Sequence, residues 1–348
     1  MYYILTIGGI KLNLKKKKIL IILLGIIVVL VLCLDFNKNN INSTNNRKMV
    51  RVYNNTFSRQ TAIHNERYQL FKIAERKKQL EETPVKKCAL KHNIPVFQPT
   101  AIKEDYEPIV NATPDIIITA AFGQFIPKIV LECAPYKAIN VHGSLLPKYR
   151  GGSPIQTAII NGEEETGITI MYMASKMDAG DIIVQKSLPI TDSDDNGTMF
   201  NKLSILGRDL LLETLPSIFD KTNPRIPQDE SKVTYAYNIS HEEQFIDWNK
   251  SSKAIYNLVR GLAPNPSALT SVDEVIYKIF KVEIVDYQGD EECGTILDLN
   301  KKILVKTLDG AISIKELQQA GKNKMDVKSY LNGQKILSIG CKFSNNIL

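Results

Sequence analysis

The spacing of apolar positions along residues 85–142 predicts an alternation of helices and strands. Residues 85–90 and 104–110 have helical spacing, and residues 93–99 form a short extended piece between them. Residues 114–123 are an unbroken apolar run between Pro114 and Gly123, the pattern of a strand buried on both faces of a parallel sheet. A helix over 127–133 and a second strand, Ala138 to His142, complete a strand–helix–strand unit, so this part predicts an open α/β sheet. Ligands of such sheets lie beyond the carboxyl ends of the strands, which puts Phe122, Gly123 and Gln124 on one rim with His142, Gly143 and Ser144.

Downstream, residues 155–161 and 196–215 predict helices, and 167–173 alternates like a strand. A further strand enters through Met177-Asp178-Ala179-Gly180-Asp181, with Asp178 at the turn. A proline-bearing stretch, 224–240, predicts a linker. Beyond it come a helix over 254–262, a turn at Pro264-Asn265-Pro266, and short strands over 275–285, 294–299, 302–307 and 311–317, which suggest a small β-barrel. Upstream, Lys15 to Lys18 precede the apolar run 19–34 and an Asn/Lys-rich patch, 37–48. That layout fits either a signal anchor or a divergent amino-terminal extension.

Composition changes this picture little. The chain has 348 residues, of which 44% are hydrophobic and 23% charged, enough for two ordinary domains and a tail. A net charge of +7 fits a polyanionic partner or an anionic surface without choosing between them. Five cysteines with no C-x-x-C pair argue against a disulfide framework or zinc site and for a reducing compartment. On the barrel, Lys301, Lys302, Lys306, Lys315, Lys322 and Lys324 are expected at the surface, as a solvated face or as a track for phosphates.

The candidate chemistry lies at the end of the second strand. Side chains alternate faces along a strand, so Asn140 and His142 stand side by side, and Asp178 is expected on the same rim. An amide N–H and an imidazole N–H aimed at one point can stabilise an oxygen that becomes negative, and a carboxylate beside the imidazole makes it a better donor. That is acyl-type transfer. Ser144 lacks a G-x-S-x-G elbow and Cys133 sits in a helical stretch, so a bound amine is the expected attacker, with Asp178 a proton acceptor. His142 and Asp178 have no third partner in sight for a metal, and the chain has neither a Walker loop nor a dinucleotide glycine fingerprint.

The run Asn140-Val141-His142-Gly143-Ser144-Leu145-Leu146-Pro147 with Arg150-Gly151, followed by Asp178-Ala179-Gly180-Asp181, resembles the signature of the folate-dependent formyltransferases. Within them it resembles the members that act on methionyl-tRNA. The likeness continues through 165–171, 234–236, Ile246-Asp247-Trp248, Glu316-Leu317-Gln318, Gly321-Lys322 and Met325, and covers about 69–337. The resemblance implies a Rossmann-like open parallel sheet and a carboxy-terminal OB-like barrel, in a cytoplasmic monomer. The implied division is an extension over 1–48, a catalytic domain over 49–223, a linker over 224–240 and a tRNA-binding barrel over 241–341.

The implied reaction moves a formyl group from 10-formyltetrahydrofolate to the α-amine of initiator methionyl-tRNA. Asn140 and His142 would stabilise the oxyanion, while Asp178 would orient His142 or accept the amine proton. Phe122, Gly123, Gln124, Ser144, Leu145, Leu146 and Pro147 would border the folate, and Arg76, Lys77, Lys78, Arg150, Lys322 and Lys324 would meet tRNA. Two departures from the family pattern stand out. Leu70, Phe71 and Glu75 replace its usual proline, aspartate and glycine, and its first strand and helix, with their glycine-proline folate turn, are not recognisable upstream. An anchor over 19–34 would carry the domain away from charged tRNA. The remaining alternatives are another 10-formyltetrahydrofolate-dependent formyltransferase or hydrolase, or a catalytically impaired RNA-binding relic.

Overall fold

In the computed structural model, residues 3–7, 10–14, 19–23, 72–73, 80–81, 83–333 and 336–344 are described. They divide into two units. The first holds the described residues up to Gly152 with Gly167–Ser187 and Lys202–Tyr235; the second holds Ser153–Thr166, Leu188–Asn201 and the described residues from Ala236 onward.

Near the amino end, β1 (Tyr3–Ile7) and β2 (Ile10–Leu14) form an antiparallel pair. The short strands β4 (Lys72–Ile73) and β5 (Leu80–Glu81) form another. Between these pairs in sequence lies β3 (Ile19–Leu23), which belongs to the main sheet. Helix α1 (Pro84–Lys91) starts where the Thr83 hydroxyl accepts the Lys86 N–H at 3.3 Å, with proline in the first turn, where its missing N–H costs nothing. Then follow α2 (Glu107–Asn111), β6 (Ile116–Ala120), α3 (Lys128–Glu132), β7 (Ala138–His142), α4 (Pro154–Ile160), β8 (Glu165–Tyr172), β9 (Ile182–Pro189) and α5 (Asn196–Phe219).

The main sheet has the order β3-β6-β7-β8-β9. β3, β6 and β7 are parallel, and β6 is buried along its whole length, Thr119 included, as a strand covered on both faces requires. β8 runs antiparallel to β7, so the sheet is mixed rather than wholly parallel. A long connection through α4 lets β8 enter in either direction, and the period-two pattern of a strand carries no information about that direction.

β3 corrects the reading of the amino-terminal run. Ile19 pairs with Ile116 and Leu23 with Ala120, so the first five residues of the apolar stretch supply a strand beside β6. Residues 24–34, the rest of the expected anchor, lie outside the described residues. Among the described residues, no helix is long and apolar enough to cross a membrane.

Below the sheet, Ile102, Ile109, Ile117, Val130, Ala134 and Ala138 form a buried cluster. On α5, a Cβ at Gly207 would stand 3.0 Å from Val141 Cγ1. A glycine inside a helix costs about 1 kcal/mol relative to alanine. Here its missing side chain lets the helix backbone lie close against β7.

In the second unit, α6 (Ser252–Leu262) is capped by Ser251, whose hydroxyl accepts the Ala254 N–H at 3.2 Å. The strands β10 (Ala268–Val272), β11 (Val275–Val285), β12 (Ile296–Asp298), β13 (Ile303–Lys306), β14 (Ala311–Gln319) and β15 (Met325–Asp326) form an antiparallel sheet of order β10-β11-β14-β13-β12, with β15 on β14. α7 (Val327–Leu331) follows. Ser344 bridges Ser271 on β10, and Lys342 bridges Thr295 just before β12, so the last described residues join the two outer edges of the sheet. The curled sheet surrounds one core that includes Trp248, Tyr277 and Phe343, with Trp248 and Phe343 stacked at 5.7 Å.

Two further expectations change, and one strand is new. Residues 224–240 do not form a free linker: Ile226 pairs with Ile182, and Thr234 exchanges backbone bonds with Pro147 and Arg150. Lys306 is buried, its ammonium donating to the Thr307 carbonyl at 3.1 Å, and so is not part of an exposed lysine face. Residues 268–272, on which no expectation was placed, form a strand just after the turn at 264–266.

Candidate active site

β6 and β7 end on the same rim, and their register sets Thr119 opposite Asn140. The Thr119 hydroxyl lies 2.9 Å from Asn140 Oδ1, 3.2 Å from the Ile139 carbonyl and 3.3 Å from the Met173 sulfur, with one proton to give. With its oxygen turned to Thr119, the Asn140 amide keeps its N–H pair for another partner. Two residues on, His142 is buried at the strand's end.

Both nitrogens of His142 are accounted for. Nε2 lies 3.0 Å from the Tyr149 carbonyl, which only accepts, so Nε2 is the nitrogen that carries the hydrogen. Nδ1 faces Asp178 Oδ2 at 3.7 Å. With Nε2 occupied in this way, Nδ1 can donate only as the imidazolium.

Asp178 sits in a left-handed backbone conformation with φ of 48°. Its Oδ2 accepts the Gly151 N–H at 2.9 Å, and the Gln228 amide donates to the carbonyls of Asp178 and Gly180, each at 2.8 Å. Gly180 has no room for a side chain: a Cβ there would fall 1.8 Å from the Tyr172 carbonyl oxygen. The D-x-G-D run is thus a tight turn that needs glycine at its third position.

The loop after β7 is pinned at several points. Ser144 donates to the Lys148 carbonyl at 2.7 Å, Thr169 donates to the Ser144 carbonyl at 2.6 Å, and Gln185 donates to the Leu146 carbonyl at 2.8 Å. Ser144 is fully buried with its hydroxyl engaged, which agrees with its exclusion as a nucleophile. The Leu146 side chain packs with Met171 and Ile182 beneath the loop, so it faces the core and not the rim. Leu145 and Pro147 are half-buried. Across the rim, Phe122 packs on the sheet's buried cluster, Gly123 is exposed, and the Gln124 side-chain oxygen accepts the Ile102 N–H at 3.0 Å.

Arg150 departs from its expected role. Its side chain is 0% exposed, and its guanidinium donates to Gln228 Oε1 through Nε at 3.0 Å and Nη2 at 2.8 Å, and to Glu230 Oε1 at 2.7 Å. A group so enclosed is not offered to a phosphate backbone. The contact with Arg150, reinforced by Lys176, holds the Glu230 carboxyl at about 2, well below its ordinary 4.5. Arg76, Lys77 and Lys78 lie outside the described residues. Lys322 and Lys324 are exposed on the barrel; Lys324 pairs with Glu316 at 2.6 Å and lies 4.6 Å from the Phe280 ring. Among the described residues, no three His, Cys, Asp or Glu side chains gather as a metal site.

Sequence reasoning missed Thr119, Tyr149 and Gln228. Thr119 left a trace, since it is a hydroxyl inside an otherwise apolar strand. Tyr149 acts through its backbone, to which side-chain identity is silent.

Residues 65–215 match the Formyl transferase family, and residues 238–335 match its C-terminal domain. A methionyl-tRNA formyltransferase of Staphylococcus aureus is 48% identical over 271 residues, covering 77% of this chain and 87% of that protein. One from Latilactobacillus sakei is 49% identical over 270 residues, covering 76% and 85%. Among solved structures, an N-formyltransferase from Helicobacter canadensis with folinic acid and dTDP-3-aminofucose matches with a TM-score of 0.55 at 20% identity, over 79% of this chain and 89% of that one. HypX from Aquifex aeolicus with tetrahydrofolic acid matches at 0.53 and 20%, over 70% and 43%. At that identity the two structures share the fold, whereas the extent of the sequence matches decides membership: the chain belongs to the formyl transferase family.

Proposed function

We propose that the chain transfers the formyl group of 10-formyltetrahydrofolate to the α-amine of initiator methionyl-tRNA. The acceptor rests on the two relatives that are 48% and 49% identical over most of their length and named for that reaction. The chemistry rests on one observation: His142 Nδ1 and Asp178 Oδ2 face each other at 3.7 Å, at the end of the strand that carries Asn140. A reacting group lying beside this pair can meet a donor and a proton acceptor at once.

The Asn140 amide and the His142 Nδ1–H donate to the formyl oxygen as the amine nitrogen bonds to the formyl carbon and the oxygen turns negative. Asp178 takes the proton that the amine nitrogen must lose. When the oxyanion collapses, the bond from the formyl carbon to the folate nitrogen breaks, and that nitrogen is protonated as it leaves. Phe122, Gly123, Gln124, Leu145 and Pro147, at the rim and its loop, border the folate. Lys322 and Lys324, with Arg76, Lys77 and Lys78, meet the tRNA, and the work takes place in the cytoplasm, where charged tRNA is found.

The deciding experiment incubates the purified chain with 10-formyltetrahydrofolate and charged initiator tRNA and measures formyl-methionyl-tRNA. Transfer that disappears with Asp178→Ala in a folded protein is the expected result. Absence of transfer by the unaltered chain, or transfer undiminished in the variant, overturns the assignment.

A further inference from the structure

The Asp178 turn is held from one side by a polar chain that the transfer chemistry does not use. Lys176, Asp178 and Gly180 are each met by residues 228–230: Lys176 Nζ by Glu230 Oε2 at 2.7 Å, and the carbonyls of Asp178 and Gly180 by Gln228 Nε2, both at 2.8 Å. A side-chain amide can present either end, and only one end can hold these two carbonyls. Arg150 decides which. Its Nε and Nη2 both point at Gln228, and a guanidinium has no acceptor, so the Gln228 oxygen must face Arg150 and the NH2 must face the turn. The residue after Arg150 completes the grip, since the Gly151 N–H donates to Asp178 Oδ2 at 2.9 Å.

This arrangement is more than the turn needs to exist. Asp178 has a φ of 48°, a region sparsely used by residues with a Cβ, and one that persists only when the surroundings over-determine it. Arg150 itself keeps one nitrogen, Nη1, buried with no hydrogen-bond partner among the described residues. Burial of an arginine with an unpaired nitrogen is costly, and what the arrangement secures is the orientation of Gln228.

We propose that Gln228, oriented by Arg150, is a positioning residue that fixes the Asp178 carboxylate opposite His142 Nδ1. The kinetic arm of its test rests on the formyl-transfer reading of the site; a second arm does not. Gln228→Glu keeps the length and the acceptor facing Arg150 but offers two carbonyls an oxygen in place of an NH2. Gln228→Met removes both ends without charge. Gln228 is half-buried, so both variants are expected to fold, with Gln228→Met the less stable because the buried Arg150 Nε loses its acceptor. Outer residues that orient a reacting group typically cost about 10–100-fold in activity when changed. A loss of that order in kcat is expected in both variants, with the KM for tRNA and for folate within about twofold of the parent.

In the second arm, without substrate, the ring nitrogen resonances of His142, assigned with His142→Gln, should move in both variants and stay put in a control, Lys253→Met, in the other unit. Unchanged kcat and unchanged resonances would overturn the proposal, as would a raised KM at constant kcat. If the unaltered chain transfers no formyl group, the function fails on its own and the resonances alone decide: movement in both Gln228 variants supports the clamp and no movement ends it.

Discussion

The Thr119 hydroxyl and the Asn140 side-chain oxygen meet at 2.9 Å, where the register of β6 and β7 sets the two residues opposite each other. A buried neighbour therefore engages the Asn140 oxygen and leaves the amide N–H groups for another partner. Thr119→Val keeps the shape and deletes the hydroxyl. One neutral hydrogen bond is worth about 1 kcal/mol, so kcat should fall about fivefold in Thr119→Val and stay near the parent value in Thr119→Ser. Steady-state rates of the two variants check this, and a fully active Thr119→Val would remove Thr119 from the site.

Asn140→Ala deletes one of the two donors assigned to the oxyanion. Loss of one such donor typically costs about 100–1000-fold in kcat. The KM for both substrates should move little, because the interaction strengthens only as the charge develops. Parallel loss of binding without loss of kcat would place Asn140 in substrate capture instead.

The Glu230 carboxyl, held at about 2 by Arg150 and Lys176 against an ordinary 4.5, links stability to acid. Its folded value lies below its unfolded one, so the contribution is fully present above 4.5 and is lost as the pH falls through about 2. Unfolding midpoints of the parent and of Glu230→Gln, compared from about pH 6 to about pH 3, should converge toward the acid end. A gap that stays constant over that span would show that the pairing adds nothing.

For the exposed barrel lysines, Lys322→Ala and Lys324→Ala should raise the KM for tRNA and leave that for folate unchanged. Each phosphate contact removed should lower the slope of log affinity against log salt by about 1. Lys324 already pairs with Glu316 at 2.6 Å, so its effect should be the smaller. Identical salt slopes in parent and variants would leave these lysines as a solvated face.

Phe343 is 1% exposed and stacks on Trp248, the single tryptophan of the chain. Phe343→Ala should cost about 3–5 kcal/mol, and Trp248 fluorescence in a denaturant titration reads the loss directly. A midpoint unchanged from the parent would mean that the pocket closes over the missing ring.

What could be read beforehand depended on how local the governing interaction was. Asn140 and His142 are two residues apart on a strand, so their shared face follows from the pleat, and Asp178 came within view through its turn. Gln228 lies fifty positions beyond Asp178 in a stretch of polar residues and prolines that looks like linker, and only tertiary pairing brings it to the turn. Arg150 carried the opposite error: a basic residue in a loop suggests an exposed charge, yet acceptors distant in sequence enclose it. Ile19 to Leu23 has the composition of a membrane segment and of a sheet strand alike, and the pairing with Ile116 to Ala120 makes it a strand at the edge of the described sheet. The helix over 252–262 and the strands β11 to β14 were legible from their periods, whereas β10, the reversal at β8 and the burial of Lys306 were not, because neither direction nor depth is encoded in alternation alone.

The bridges from Ser344 to Ser271 and from Lys342 to Thr295 give the barrel a dependence on the order of synthesis. A chain emerging from the ribosome makes β10 to β14 first; Phe245 already pairs with Leu269 on β10, but Ser271 and Thr295 gain their backbone partners only when residues 342–344 arrive. An open rim is a template for the backbone of a neighbouring molecule. The same few residues therefore close the last open stretches on both borders of the sheet, and a product cut short before Lys342 keeps those two stretches exposed.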